Sequence, residues 1–307
     1  MQEDDGPKKI ESPIILHGDQ STAYRDPAIL YHNRVFYLFY SLVEIENDGY
    51  IFSYTAYSTS SDLLNWTLPH KLTPRDQSLN FSSPGNVIYF RQEWLLCLQA
   101  YPRPGYTVDQ IPRYGDQTSR IFIMRSIDLV NWSKPEILLV KGPQVREEEM
   151  GRMIDPYLVQ DKDQSELWWC FYKQNGVSLS SSTDLENWTY RGNYPCGENV
   201  CVLVEDNQYI LFHSPSNGIG IKRSTDLVNW HDWGQLVTLG QKDWPWAHGR
   251  ITAGTVVDLR QLEGVEKYLM FYHGSGPETE KIHFDNHASI GIAWSQNLLD
   301  WSWPGQR

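Results

Sequence analysis

Two short patterns alternate along this chain, each five times. The first is dense in aromatic and aliphatic residues: VFYLFYS (35–41), EWLLCLQ (93–99), LWWCFYK (167–173), QYILFHS (208–214) and KYLMFYHG (267–274). The second alternates apolar with small or polar residues: YTAYSTS (54–60), IFIMRS (121–126), VSLSSS (177–182), IGIKRS (219–224) and IGIAWS (290–295). A period of two marks a half-buried strand. Each second pattern runs into Ser-x-Asp-Leu-x-Asn-Trp, ending at Trp66, Trp132, Trp188 and Trp230, with an altered copy, SQNLLDW, ending at Trp301. Its Ser, Asp and Asn supply a turn, and its Leu and Trp pack the next strand. No segment sustains an apolar stripe at helical spacing. The pattern predicts an all-β chain.

The Trp-to-Trp gaps are 66, 56, 42 and 71 residues, which suits four-stranded units with loops of unequal length. Five such units close naturally into a five-bladed β-propeller of four-stranded antiparallel blades around a central axis. Residues 1–12 read as a solvated tail and 13–307 as one propeller domain. Little chain follows Trp301, so the segment near Ser12 to Leu16 is expected to complete the last blade.

The chain has 307 residues and a formal net charge of −12. With no basic run, that balance argues against a nucleic-acid partner. No apolar stretch is long enough to span a membrane, and the N-terminus lacks the apolar core of a signal peptide. Of the four cysteines, Cys97 and Cys170 sit in strand patterns, while the spacing of Cys196 and Cys201 allows a bridge. Compartment and oligomeric state stay open on these grounds. Strand packing takes most of the 13 Trp and 18 Tyr, since the repeat accounts for many of the Trp, and flat faces for sugar rings are the competing use.

Aligning the aromatic strands brings out candidate chemistry. Asp26, Ser83 and Glu198 each lie eleven residues before an aromatic residue, and Asp155 thirteen before Trp168. The fifth blade offers Ala253-Gly254-Thr255 there. Since the first strand of each blade lines a propeller's channel, these positions form a ring of three carboxylates and two small residues. Clustered carboxylates raise one another's pKa, a costly arrangement that suits acid–base work. Glycoside hydrolysis needs one carboxylate ionised and another protonated. An Asp-Pro pair alone only starts a turn; the shared register of three carboxylates is what points to chemistry. Arg25, Arg152 and Arg250 flank the ring, either to fork onto sugar hydroxyls or to neutralise the carboxylates. Trp244 or Trp246 could form a sugar platform, and His287 could face the channel. The Pro-, Gly- and Tyr-rich stretch 101–120 reads as a pocket-shaping loop.

At these residues the chain resembles glycoside hydrolase family 43 and its close relatives. The resemblance rests on YRDPAILYHNRVFYLFYS (24–41), MIDPYLV (153–159), GENVCVLVEDNQYILFHS (197–214) and the blade ends, and it spans nearly the whole chain. It implies an inverting glycosidase acting on plant or algal carbohydrate, secreted or periplasmic. Asp26 would be the general base, Asp155 would tune and orient the acid, and Glu198 would be the general acid. It also implies a blade-five histidine near the axis that helps hold a Ca²⁺ through waters, for which His248 is the candidate. Asn199-Val200 after Glu198, and Ser83-Pro84-Gly85-Asn86 in blade two, depart from the family pattern and mark a divergent branch. Tyr272-His273-Gly274 looks like a piece of the related mannoside phosphorylases. A retaining fructan-type glycosidase, a phosphorylase and a non-catalytic sugar-binding propeller are the alternatives.

Overall fold

The computed structural model describes residues 6–110, 112, 117–276 and 287–306. Five antiparallel sheets follow one another along the chain as the blades of a five-bladed propeller. Blade one is Thr22–His32, Val35–Ile45, Ile51–Ser60 and His70–Lys71. Blade two has a broken innermost strand, Phe81–Ser82 and Val87–Phe90, then Glu93–Ala100, Arg120–Ser126 and Glu136–Ile137. Blade three is Ile154–Gln160, Trp168–Lys173, Val177–Ser182 and Thr189–Tyr194; blade four is Glu198–Glu205, Gln208–Ser214, Gly220–Ser224 and His231–Asp232. Blade five is Arg250–Leu259, Lys267–Ser275 and Ser289–Ser295, and its outer edge is shared by Trp301–Ser302 and the N-terminal Ile14–Leu16. The N-terminal strand thus closes the ring, with Ile14 opposite Gly291 and Leu16 opposite Ile290.

The repeated Ser-x-Asp-Leu-x-Asn-Trp corner is a closed set of local hydrogen bonds. In blade two the Ser126 hydroxyl accepts from the Leu129 N–H at 2.9 Å, and Asp128 Oδ1 accepts from the N–H groups of Val130 and Asn131 at 2.9 and 2.7 Å. Asn131 Nδ2 donates to Asp128 Oδ2, and the Trp132 indole donates to the Leu129 carbonyl. These donors hold the Asp128 carboxyl far below its usual range. All five corner leucines have positive φ, from 61° to 67°, a region costly for a branched side chain. Each is buried, and that packing holds the turn.

The corner tryptophans then join neighbouring blades. Trp132 meets Phe39 edge-on with centroids 5.7 Å apart, and Trp66 meets Phe271, Trp230 meets Phe171 and Trp301 meets Phe212 in the same way. Each pair runs from one blade back to the blade before it, not to the next strand of its own. The four phenylalanines occupy one equivalent place in the aromatic strands. Blade two carries Cys97 there, and Trp188 packs in the same cluster as that thiol. All four cysteines are free, Cys196 and Cys201 included. Cys201 faces inward, its sulfur accepting the Val256 N–H at 3.3 Å.

Candidate active site at the propeller axis

The innermost strands are not regular. Their pairing slips between Arg25 and Ala28, Ile154 and Tyr157, Glu198 and Cys201, and Thr252 and Thr255. At each slip one residue turns left-handed: Asp26 (φ 49°), Asp155 (51°), Asn199 (52°) and Ala253 (53°), with Ser83 (41°) at the break in blade two. Five non-glycine residues in this region at one equivalent place constitute a strained ring around the axis. It corrects one expectation. The fourth member is Asn199, and Glu198 stands one residue earlier, level with Arg25, Ser82, Ile154 and Thr252. Tyr209 is not the equivalent of Tyr37: Tyr37 lies opposite Leu30, and the equivalent pair in blade four is Ile210 opposite Leu203. A displacement of one residue moves a strand side chain to the other face.

Each ring residue's backbone N–H is tied to the blade before it. Asp26 donates to His273 Nδ1 at 3.0 Å, Ser83 to Ser41 Oγ at 2.6 Å, Asp155 to Gln99 Oε1 at 2.7 Å and Ala253 to Ser214 Oγ at 2.8 Å. These four acceptors, with Lys173, are the residues paired opposite the start of each slip. Lysine cannot accept a hydrogen bond. In blade four the Asn199 N–H instead reaches Asp155 Oδ2 at 3.4 Å. The five residues are the polar ends of the aromatic runs: VFYLFYS, EWLLCLQ, LWWCFYK, QYILFHS and KYLMFYH. That recurrent final polar position was the signal in the sequence for them.

Three carboxylates gather here. Ser41 donates its hydroxyl to Asp26 Oδ2 at 2.8 Å, fixing that carboxylate. Asp155 is 7% exposed; burial raises its pKa to about 7, with Glu198 and then Asp26 adding to the rise. Glu198 is half-buried and accepts from Arg250 at 2.7 Å through Oε1. His273, wholly buried, is held neutral by burial and by the nearby charges of Arg25 and Arg250. Since its Nδ1 accepts from Asp26, its proton sits on Nε2, an assignment made from the hydrogen bonding.

Two cavities lie beside these residues, Asp26 and Asp155 lining one and Glu198 the other. An axial one of about 20 Å³, the size of a single water, is lined by Asp26, Ser83, Asp155, Asn199, Ala253 and their neighbours. A cleft of about 460 Å³ begins at Glu198 and runs outward over the end of blade four, past His213 to Lys222 and Asp232.

The other expected residues divide. Arg250 lines the cleft, and Ser83 the axial cavity. Arg25 lies near His273, and Arg152 near Asp155, with its guanidinium 3.4 Å from the Tyr101 hydroxyl. Trp244 and Trp246 line neither cavity. They stack on each other and on Tyr272, so blade five uses them for packing. His287 sits by the ring closure, near Asp19. Within 101–120, residue 111 and residues 113–116 lie outside the described residues; Tyr106 is buried, with Arg103 stacked 3.7 Å from its ring centroid. His248 is exposed and lines neither cavity. Among the described residues no group of three His, Cys, Asp or Glu side chains is placed to hold a metal ion. His248 thus lies apart from the residues that line the axial cavity. No helix among the described residues is long and apolar enough to cross a membrane.

No protein-family model and no curated protein matches this chain. Solved structures share its fold. An exo-1,5-α-L-arabinanase from a bovine ruminal metagenomic library aligns over 90% of this chain and 95% of its own, with TM-score 0.60 and 15% identity. The catalytic domain of a GH62 α-L-arabinofuranosidase from Coprinopsis cinerea aligns over 92% and 95%, with TM-score 0.65 and 15% identity. A Bacillus subtilis arabinanase aligns over 90% and 96%, with TM-score 0.59 and 14% identity. At such identity the likeness establishes the five-bladed fold.

Proposed function

We propose that this protein is a glycoside hydrolase whose chemistry is carried by Asp26, Asp155 and Glu198. The observation that carries the reading is the convergence of three carboxylates at the axis, one of them buried and holding its proton to about pH 7. Glycosidase names among the solved structures of this fold support it. In the inverting form, Asp26 takes a proton from water as the water oxygen bonds to the anomeric carbon. The glycosidic C–O bond breaks on the opposite side, and Glu198 gives its proton to the leaving oxygen. Ser41 occupies Asp26 Oδ2, leaving Oδ1 to meet the water. Asp155, which feels the charges of both Glu198 and Asp26, tunes and orients the acid. The substrate is a carbohydrate chain or its aryl glycoside.

The test is a screen of aryl glycosides and oligosaccharides, with the configuration of the released sugar followed by proton NMR. Turnover with inversion is expected, falling by at least a thousandfold in Asp26→Asn and strongly in Glu198→Gln on substrates with poor leaving groups. Retention would make Asp26 the nucleophile. Sugar binding without turnover, equal in wild type and both variants, would reject the enzyme.

A further inference from the structure

The cleft beside Glu198 is cationic in a chain that is acidic overall. Lys173, Lys222 and Arg250 line it against only Glu198 and Asp232, although the chain's formal net charge is −12. Lys222 pairs with Asp232 at 2.6 Å and Arg250 with Glu198 at 2.7 Å. The Lys173 ammonium has no ion pair or hydrogen bond among the described residues. Its position matters. At the equivalent place the other four blades carry Ser41, Gln99, Ser214 and His273, each tying down the next blade. Here the Lys173 side chain cannot make that tie; a longer bond of 3.4 Å from the Asn199 N–H to Asp155 Oδ2 replaces it, and an unpaired cation is placed in the cleft beside Glu198. A position that departs from its four equivalents by trading a hydrogen-bond acceptor for a charge marks a candidate for function. His213, in the same cleft, is pushed down to about 4 by burial and then by Lys222, so it adds no charge near neutral pH.

Glu198 presents a second mismatch, which rests on the hydrolase reading. A proton donor must be neutral before it reacts, yet Arg250 holds it in an ion pair. We infer that the cleft binds an anionic group of the substrate, a carboxylate or sulfate on the sugar unit beside the scissile bond, with Lys173 and Arg250 as its receptors. Lys173 supplies unpaired charge. Arg250 exchanges Glu198 for the incoming anion, and Glu198 takes up a proton from solvent that it then donates. A neutral glycoside offers Arg250 no replacement, so the same cleft selects against it.

Matched substrates test this. Pairs of aryl glycosides and disaccharides that differ only in a C6 carboxylate or its reduced alcohol, and a third set bearing a sulfate ester, are compared by kcat/KM. At least a tenfold preference for an acidic member is expected, weakening with added salt. Lys173→Gln should reduce that preference tenfold or more, and Lys173→Arg should restore it. Preference for carboxylate or for sulfate identifies the anion, and either supports the site. Equal rates for acidic and neutral twins, or an equal loss on both in Lys173→Gln, overturn it. So does release of a sugar phosphate that requires inorganic phosphate, since the cleft would then hold the attacking anion. If nothing is cleaved, calorimetric titration separates the two claims. Acid-selective binding lost in Lys173→Gln keeps the anion site and rejects the hydrolase; unselective or absent binding rejects the anion site.

Discussion

Asp155 and His213 are buried in opposite senses, and each makes stability depend on pH. Asp155 has its pKa raised to about 7 by burial, Glu198 and Asp26. The folded state therefore holds this proton more tightly than the unfolded one, and stability falls as pH rises from about 4 through 7. His213 has its pKa lowered to about 4 by burial and Lys222, and the Gly197 N–H donates to its Nδ1 at 3.0 Å. Its contribution is lost as pH falls from about 6.5 through 4. From the linkage relation the two are worth roughly 4 and 3 kcal/mol, so they oppose one another across the same window. Asp155→Asn keeps an acceptor for Asn199 while removing the charge. Urea unfolding should show a gain of roughly 2–4 kcal/mol at pH 8 that vanishes at pH 4. An equal gain at both pH values would mean that packing, not ionisation, is responsible. At this scale the sequence is only partly legible. Asp26 and Asp155 lie where the repeat put them, but Glu198 is one residue out of the ring. Aromatic identity is a poor register mark, because Tyr209 and Tyr37 fill different places in their strands.

At the scale of the element, the corner motif was legible because its hydrogen bonds are local. Five copies in order specified five blades, and the structure adds what each residue does there. The altered copy is the informative one. In blade five the acid and amide exchange places: Asn297 Oδ1 accepts the Leu299 and Asp300 N–H groups at 3.0 and 2.8 Å, and its Nδ2 donates to Asp300 Oδ2 at 2.8 Å. Asn297→Asp alone would set two carboxylates against each other, costing about 1 kcal/mol. Adding Asp300→Asn recreates the order of the other blades and should recover that loss. A double-mutant cycle by thermal unfolding measures the coupling, and additive effects would show that the amide–acid bond is unimportant. The direction of the Trp contacts was not legible. Only the assembled ring shows that Trp132 lies against Phe39 of the previous blade, since a contact between sheets leaves no periodicity in either strand.

The whole molecule depends on one long-range pairing. Blades one to four are each built from a continuous stretch of chain, whereas blade five takes Ile14–Leu16 from the opposite end. The joint is reinforced by the Ile292 N–H on the Pro13 carbonyl at 2.9 Å and by the Gly18 N–H on Ser289 Oγ at 2.9 Å. Leu16 and Ile15 also pack on the cluster formed by blades one and five. The same seam positions the site, because His273 in blade five holds the Asp26 N–H in blade one. Removing residues 1–17 should therefore do more than fray an edge. It exposes the backbone of residues 290–292 to solvent, frees blade five to move against blade one, and loosens Asp26 at the axis. The expected loss is several kcal/mol, since unpaired strand backbone and an opened apolar cluster both add to it. Urea unfolding should become less cooperative, and amide hydrogen exchange should accelerate in Lys267–Ser275 and Thr22–His32 while blade three stays protected. A truncated chain with unchanged stability and protection would show that the blades hold the ring without this strand. Closure would then rest on the Trp66–Phe271 contact and the His273 tie between the first and last blades.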